Sequence, residues 1–404
     1  MGAARLQELT EIPDWRERVG RVDAWWERRV IDRPVVWMAL ARNPLRVPWP
    51  ARKAWPRIRD RWLDAEWHAD AARAVALNTE WLGDAVPLAN PNLGPEVFSA
   101  LFGADLEFSP DSSWSVPCLA RWEDAGALEF SESNPWWIAL HRLTDACLAR
   151  GAGVYWTGMT DWHPGGDAIA AFRDPETMNE DMIEHRDDIL RLLDRMNATF
   201  FRVYDHWADL LEAAGQPHAN WTRIVSTRRH YVPSNDFSCM ISPAMFNETF
   251  LPGLRLECRH LERSLYHLDG PDALRHLDAL LGIPELSALQ WVPGAGRGPA
   301  SRWMDVYRRA QDAGKAIQIL GATPAEVPQF VAALRPAGVW LDVVDVRSRA
   351  EADGVLGHHR ERVVRDPRGG RHEPRPGEHD GVHLWHGDRR GPLHERDLHV
   401  SADP

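Results

Sequence analysis

The chain has 404 residues and a formal charge of 47 − 59 = −12, with 44% hydrophobic and 26% charged residues. That balance excludes collagen, coiled-coil and wholly disordered chains, and a net acidic chain without a basic stripe argues against a nucleic-acid partner. No apolar run reaches the ~18 residues of a membrane span, and the start MGAARLQELTEIPDWRER lacks the apolar core of a secretory signal, so a cytoplasmic protein with no membrane partner is expected.

In chain order, residues 14–31 read as an amphipathic helix, because Val19, Val22, Trp25, Trp26 and Val30 recur at helical spacing. PVVWMALA (34–41) has the length of a strand. Residues 42–60 are Pro-, Arg- and Trp-rich and read as loop, 61–80 return to helix, and 83–117 carry many turn signals. GVYWTGM (153–159) reads as a strand. The longest helical signal is 175–213, opened by Asp174 as cap and Pro175 in the first turn.

The second half is more regular. Strands are expected at 230–234, 264–268, 288–292, 316–320 and 338–343. Helices are expected from Ser242-Pro243, at 271–281, at 300–313, from the Thr323–Glu326 capping box to Leu334, and at 348–356. Consecutive strand–helix units with short loops imply a parallel sheet. With a comparable first half, the total suits a (β/α)8 barrel with an N-terminal helical extension. A doubly wound sheet is the alternative, but no GxGxxG follows the early strand and no P-loop lysine exists.

Only Lys53 and Lys315 are lysine among 47 basic residues, which reflects a GC-rich genome rather than a basic ligand. The 21 Trp are dispersed and read mainly as core. Four separated Cys without CxxC suit reduced thiols. From Gly357 onward, 48 residues hold eight His, nine Arg, seven Gly and five Pro, without periodicity. A disordered or out-of-frame tail over 357–404 is expected, leaving 1–356 as one barrel domain.

Catalytic groups of such a barrel sit at the carboxyl ends of the strands. Those ends offer Asp236, His267, Asp269, Gln290, Trp291, Asp342 and Asp345. His267 and Asp269, two apart on a strand, point to one side. Such a pair suits metal ligation, acid–base work or a substrate grip, while Asp269 also suits a helix cap. After the 153–159 strand, TDWHPGGD places Asp161, His163 and Asp167 in a loop whose Gly165-Gly166 permits close backbone approach.

The run DFSCMISPAMFNETFLPGLRLECRHLERSLYHLDGPDALRHLDALLGIPELSALQWVPGAG (236–296) resembles the uroporphyrinogen decarboxylase superfamily, as do EWLGDAVPLANPNLGP (80–95) and TDWHPGGDAIAAFRDPE (160–176). The likeness spans roughly 20–356 and implies a (β/α)8 barrel. It also implies one of two activities. In the decarboxylases an Arg-rich loop after the first strand holds substrate carboxylates, and an Asp near the second strand contacts the pyrrole NH groups. Here WMALARNP (37–44) keeps only Arg42, and Asp84 falls where that Asp is expected. In the corrinoid-dependent methyltransferases a His-x-Cys pair and a distant Cys hold zinc. His267-Leu268-Asp269 falls on that motif with Asp for Cys, and the third position falls in 342–345, at Asp345.

The resemblance therefore implies a methyltransferase-type enzyme acting with a corrinoid on a partner protein or a small methyl donor, with Zn2+ on His267, Asp269 and Asp345. In that reading Asp84 and Asp236 orient the substrate, Arg42, Asp161, His163 and Gln290 contact it, and Trp156 and Trp291 form apolar walls. A tetrapyrrole decarboxylase and a non-catalytic corrinoid- or tetrapyrrole-binding protein are the alternatives.

Overall fold

The computed structural model describes residues 6–365, with side chains through residue 358. The tail beyond 365, where disorder or a frame slip is expected, lies outside the described residues.

Nine strands position the site: β1 (Val35–Ala41), β2 (Thr79–Gly83), β3 (Leu88–Ala89), β4 (Trp156–Thr157), β5 (His230–Tyr231), β6 (Arg263–Asp269), β7 (Ala288–Val292), β8 (Ala316–Ala322) and β9 (Val339–Val343). Seven of them form one sheet in the order β2-β1-β9-β8-β7-β6-β5, and β3 pairs with β4 separately. Every pairing is parallel except β1–β2. Six mutually parallel strands in this sheet, with the separate parallel pair β3–β4, are compatible with a TIM-barrel-like fold.

Strand alternation separates two layers. One face of β1 and β6–β9 sends Val36, Met38, Tyr266, Leu268, Leu289, Trp291, Ile317, Ile319, Val339 and Leu341 against the helices. The opposite face carries Val35, Leu265, Ala288, Ala316 and Trp340 toward the amino ends of the strands. Further along, the same face turns polar. Parallel register places His267 beside Gln290, and Gln290 beside Gln318. The core is therefore apolar where the strands begin and hydrophilic where they end.

The helices used below are α1 (Trp15–Trp26), α2 (Gly166–Arg173), α3 (Pro175–Glu184), α4 (Arg186–Ala213), α5 (Leu251–His260) and α6 (Arg349–Arg365). The α1 stripe buries Val19, Val22, Trp25 and Trp26. It closes the amino ends of the strands. Trp25 Nε1 donates to the Ile317 carbonyl at 3.1 Å, Asp23 pairs with Arg263, and Trp15 meets Trp156 edge-on at 5.3 Å. Among the described residues thirteen Trp are buried, which supports the core reading of that residue type.

Three expectations change in the fold. The 175–213 helix is broken at His185 (φ −127°), and a second helix starts with Asp187 and Asp188 in its first turn, where acidic groups complement the helix dipole. The loop-like 83–117 holds an antiparallel pair, Asp105–Phe108 with Ser113–Val116. The last helix does not stop at Leu356 but runs to Arg365. No helix among the described residues is long and apolar enough to cross a membrane.

Candidate functional site

Three segments at the carboxyl ends of the strands bring the His and Asp side chains together. The loop after β4 carries Asp161 and His163, and α2 opens with Asp167. The segment after β5 carries Ser234 and Asp236. The end of β6 carries His267 and Asp269, with Gln290 beside them on β7. The close approach depends on Gly166, because a Cβ there would lie 2.7 Å from Asn235 Oδ1.

Asp236 belongs to two groups at once. His163, Asp167 and Asp236 bring ligand atoms within 4.8 Å of one another, and so do Asp236, His267 and Asp269. Both imidazoles are braced from behind. His163 Nε2 lies 3.1 Å from Asp161, while its Nδ1 lies 3.5 Å from Asp167 Oδ2 and 3.4 Å from Ser234 Oγ. His267 Nδ1 bonds Gln290 Oε1, and Gln290 Nε2 donates to Gln318 Oε1 at 2.7 Å. Gln318 Nε2 donates in turn to the Thr222 carbonyl at 2.9 Å. An amide oxygen accepts only, so a proton sits on His267 Nδ1, and in the neutral ring Nε2 is the free lone pair.

Negative charge is in excess here. Four carboxylates share the space with two imidazoles, and none of the four pairs with Arg or Lys among the described residues. Burial and then the neighbouring Asp167 push the Asp236 carboxyl up to about 6, against the opposing pull of His267 and His163. Burial also raises Asp269. Burial opposes the His163 cation, yet Asp161, Asp167 and Asp236 together hold its pKa well above the usual range.

These residues fit a divalent cation. Asp236 Oδ1 is shut off from solvent and has no hydrogen-bond partner. A His with two carboxylates is a sufficient protein donor set for zinc with one open position. Gln290 behind His267 supplies the outer acceptor that a ligating His ordinarily has.

Several expected residues lie elsewhere. Asp84 is held at the start of β1 by Arg33 and Arg21 and by the Val36 amide at 2.9 Å, on the side closed by α1. A buried carboxylate needs such partners, and this one has no reach to the cluster. Arg42 is exposed beyond the β1–β2 ladder. Trp291 takes the helix-facing side of β7, 5.1 Å from Trp303, because its neighbour Gln290 takes the other. Trp156 sits in the apolar amino-end layer, its Nε1 donating to the Gln7 carbonyl. Asp345 is exposed with φ +58°, outside both groups, and Asp236 stands as the third carboxylate-or-His partner instead.

One contributor had no signal in the sequence. The pairs His218–Ala219 and Val225–Ser226 form a short hairpin whose tip, 220–223, packs on the polar face. From it Arg223 donates to Asp342 Oδ2 at 2.9 Å and lies 4.3 Å over the Trp37 ring, while Trp221 meets His267 edge-on at 5.1 Å.

No protein-family description and no curated protein matches this chain. Among solved structures, a methyltransferase from Methanosarcina mazei superposes with a TM-score of 0.52 at 11% identity, over 86% of this chain and 99% of that one. At that identity the likeness concerns the fold: this chain shares an α/β architecture with that methyltransferase.

Proposed function

We propose that β3 and β4 complete an eight-stranded (β/α)8 barrel and that the chain is a methyltransferase-type enzyme. It moves a methyl group between a small methyl donor, or a corrinoid carried by a partner protein, and an acceptor. The observation that carries this reading is the His267, Asp269 and Asp236 group at the strand ends, with a braced imidazole and an orphaned carboxylate oxygen. The fold likeness to a methyltransferase supports it.

In this reading Asp236, His267 and Asp269 hold Zn2+, which supplies Lewis acidity toward the acceptor. Gln290 fixes the His267 tautomer, and Gln318 fixes Gln290. Cys239, half-buried and raised by burial and then by Asp236, lies near the group. The donor set is richer in oxygen than a thiolate site, so an oxygen acceptor suits it as well as a thiol. The acidic lining disfavours a polyanionic tetrapyrrole, which needs several cationic partners.

The test is methyl transfer from a methylcorrinoid to small thiol and hydroxyl acceptors. Turnover is expected to fall by about 10–100-fold in Gln290→Ala and further in His267→Ala, with circular dichroism unchanged. Turnover indifferent to His267→Ala, or carboxyl loss from uroporphyrinogen, overturns the proposal.

A further inference from the structure

We propose that His163, Asp167 and Asp236 form a second divalent-cation site beside the first, with Asp236 as the shared carboxylate. This deepens the metal reading above and rests on it.

Each of these side chains is already partly satisfied. Asp161 takes His163 Nε2, and the Phe237 amide donates to Asp167 Oδ1 at 2.8 Å. What remains is His163 Nδ1, 3.5 Å from Asp167 Oδ2, and the Asp236 carboxylate; one ligand atom from each of the three residues lies within 4.8 Å of the others. Asp167 Oδ2 and Asp236 Oδ1 are buried without any hydrogen-bond partner, and His163 Nδ1 has only long contacts, to Ser234 Oγ at 3.4 Å and Asp167 Oδ2 at 3.5 Å. Two unpartnered buried carboxylate oxygens in neighbouring groups are unfavourable without a positive charge close by.

The outer contacts favour a metal over a simple ion pair. Asp161 behind His163 is the carboxylate–histidine arrangement that orients a ligating imidazole and raises its basicity. The same arrangement, with an amide oxygen, stands behind His267. Two braced imidazoles therefore each come within reach of the one Asp236 carboxylate, which has two oxygens to share. The donors, one imidazole and two carboxylates, take a first-row divalent ion such as Zn2+ or Mn2+ rather than a thiolate-seeking one. Two such ions would stabilise negative charge on substrate oxygens, so the substrate class is one with oxygen-centred anions.

The experiment is metal counting on full-length protein, stripped, reloaded with excess zinc and freed of unbound metal. Co2+ loading adds a second readout, since N/O coordination gives weak visible bands without thiolate charge transfer. Two ions per chain are expected in the wild type, one in His163→Gln, one in His267→Gln, and loss or strong weakening of both in Asp236→Ala. Asp161→Asn, which leaves every ligand in place, is expected to weaken only the second site, by about 10–100-fold. One ion per chain, lost in His267→Gln and kept in His163→Gln, overturns the second site and leaves the first standing. One ion lost in both variants likewise overturns it, as a single shared centre. No bound metal at all removes both.

Discussion

Glu257 lies on α5, is 3% exposed, and its Oε2 has no hydrogen-bond partner. It lines a cleft with Asn197, Asn235 and Thr249, each with an orphaned polar atom, and with Gly166 and Gly253. Burial first, and Asp167 second, raise its carboxyl from 4.5 to about 8. The folded chain keeps this proton to about pH 8, whereas the unfolded chain releases it near 4.5. Stability from this group is thus greatest below pH 4.5 and falls as the pH rises toward 8. Glu257→Gln is expected to flatten that decline in thermal melts and to gain on the order of 3 kcal/mol at pH 7. Parallel pH profiles for the two proteins would refute it. At this scale the sequence showed His267 and Asp269, because a spacing of two fixes a common side. It did not show which face of β7 is inward, so Gln290 and Trp291 looked equally available. It hid Asp84's role, because the Arg33 that neutralises Asp84 lies 51 residues away.

Among elements, the 218–226 hairpin most alters the site. Its tip delivers Arg223, 26% exposed at the side chain, to Asp342, which is buried with its carboxyl raised by desolvation against the pull of Arg223. Arg223→Ala leaves that carboxyl without its cation and is expected to cost about 3–5 kcal/mol in urea denaturation. Asp342→Asn in the same chain is expected to recover much of it, a coupling that a double-mutant cycle measures. Additive losses would show that the pair is not coupled. Most periodic helices and later strands were legible, because one-sided burial forces their repeat, though the break at His185 and the short reach of the 230–231 strand were not. Two-residue strands and the hairpin were not, since no period fits in so short a run. The Asp174 cap was legible too, accepting from Glu176 and Thr177 at 2.9 Å. Of the Thr323–Glu326 box only one half forms, Glu326 accepting from the Thr323 amide at 3.0 Å, and the helix starts later, at Val327.

For the whole molecule, a ligand that binds only the folded state stabilises it by mass action. Zinc at 100 times its dissociation constant is expected to add about 2.7 kcal/mol. A melting temperature that rises with zinc in the wild type, and stays fixed in Asp236→Ala, checks this. An equal rise in both would place the binding elsewhere. The sequence by itself determined the alternation of strands and helices, the parallel sheet of its second half, the buried Trp, and the strand-end position of His163, Asp236, His267 and Asp269. These follow from local rules of periodicity, capping and side-chain alternation, which act within a few residues. Only the tertiary structure decided which of those groups meet. It turned Asp236 toward both imidazoles, sent Asp84, Arg42, Trp156, Trp291 and Asp345 elsewhere, and brought in Arg223. The reason is that charge neutralisation and close packing act across space, between segments whose separation along the chain carries no trace of the contact.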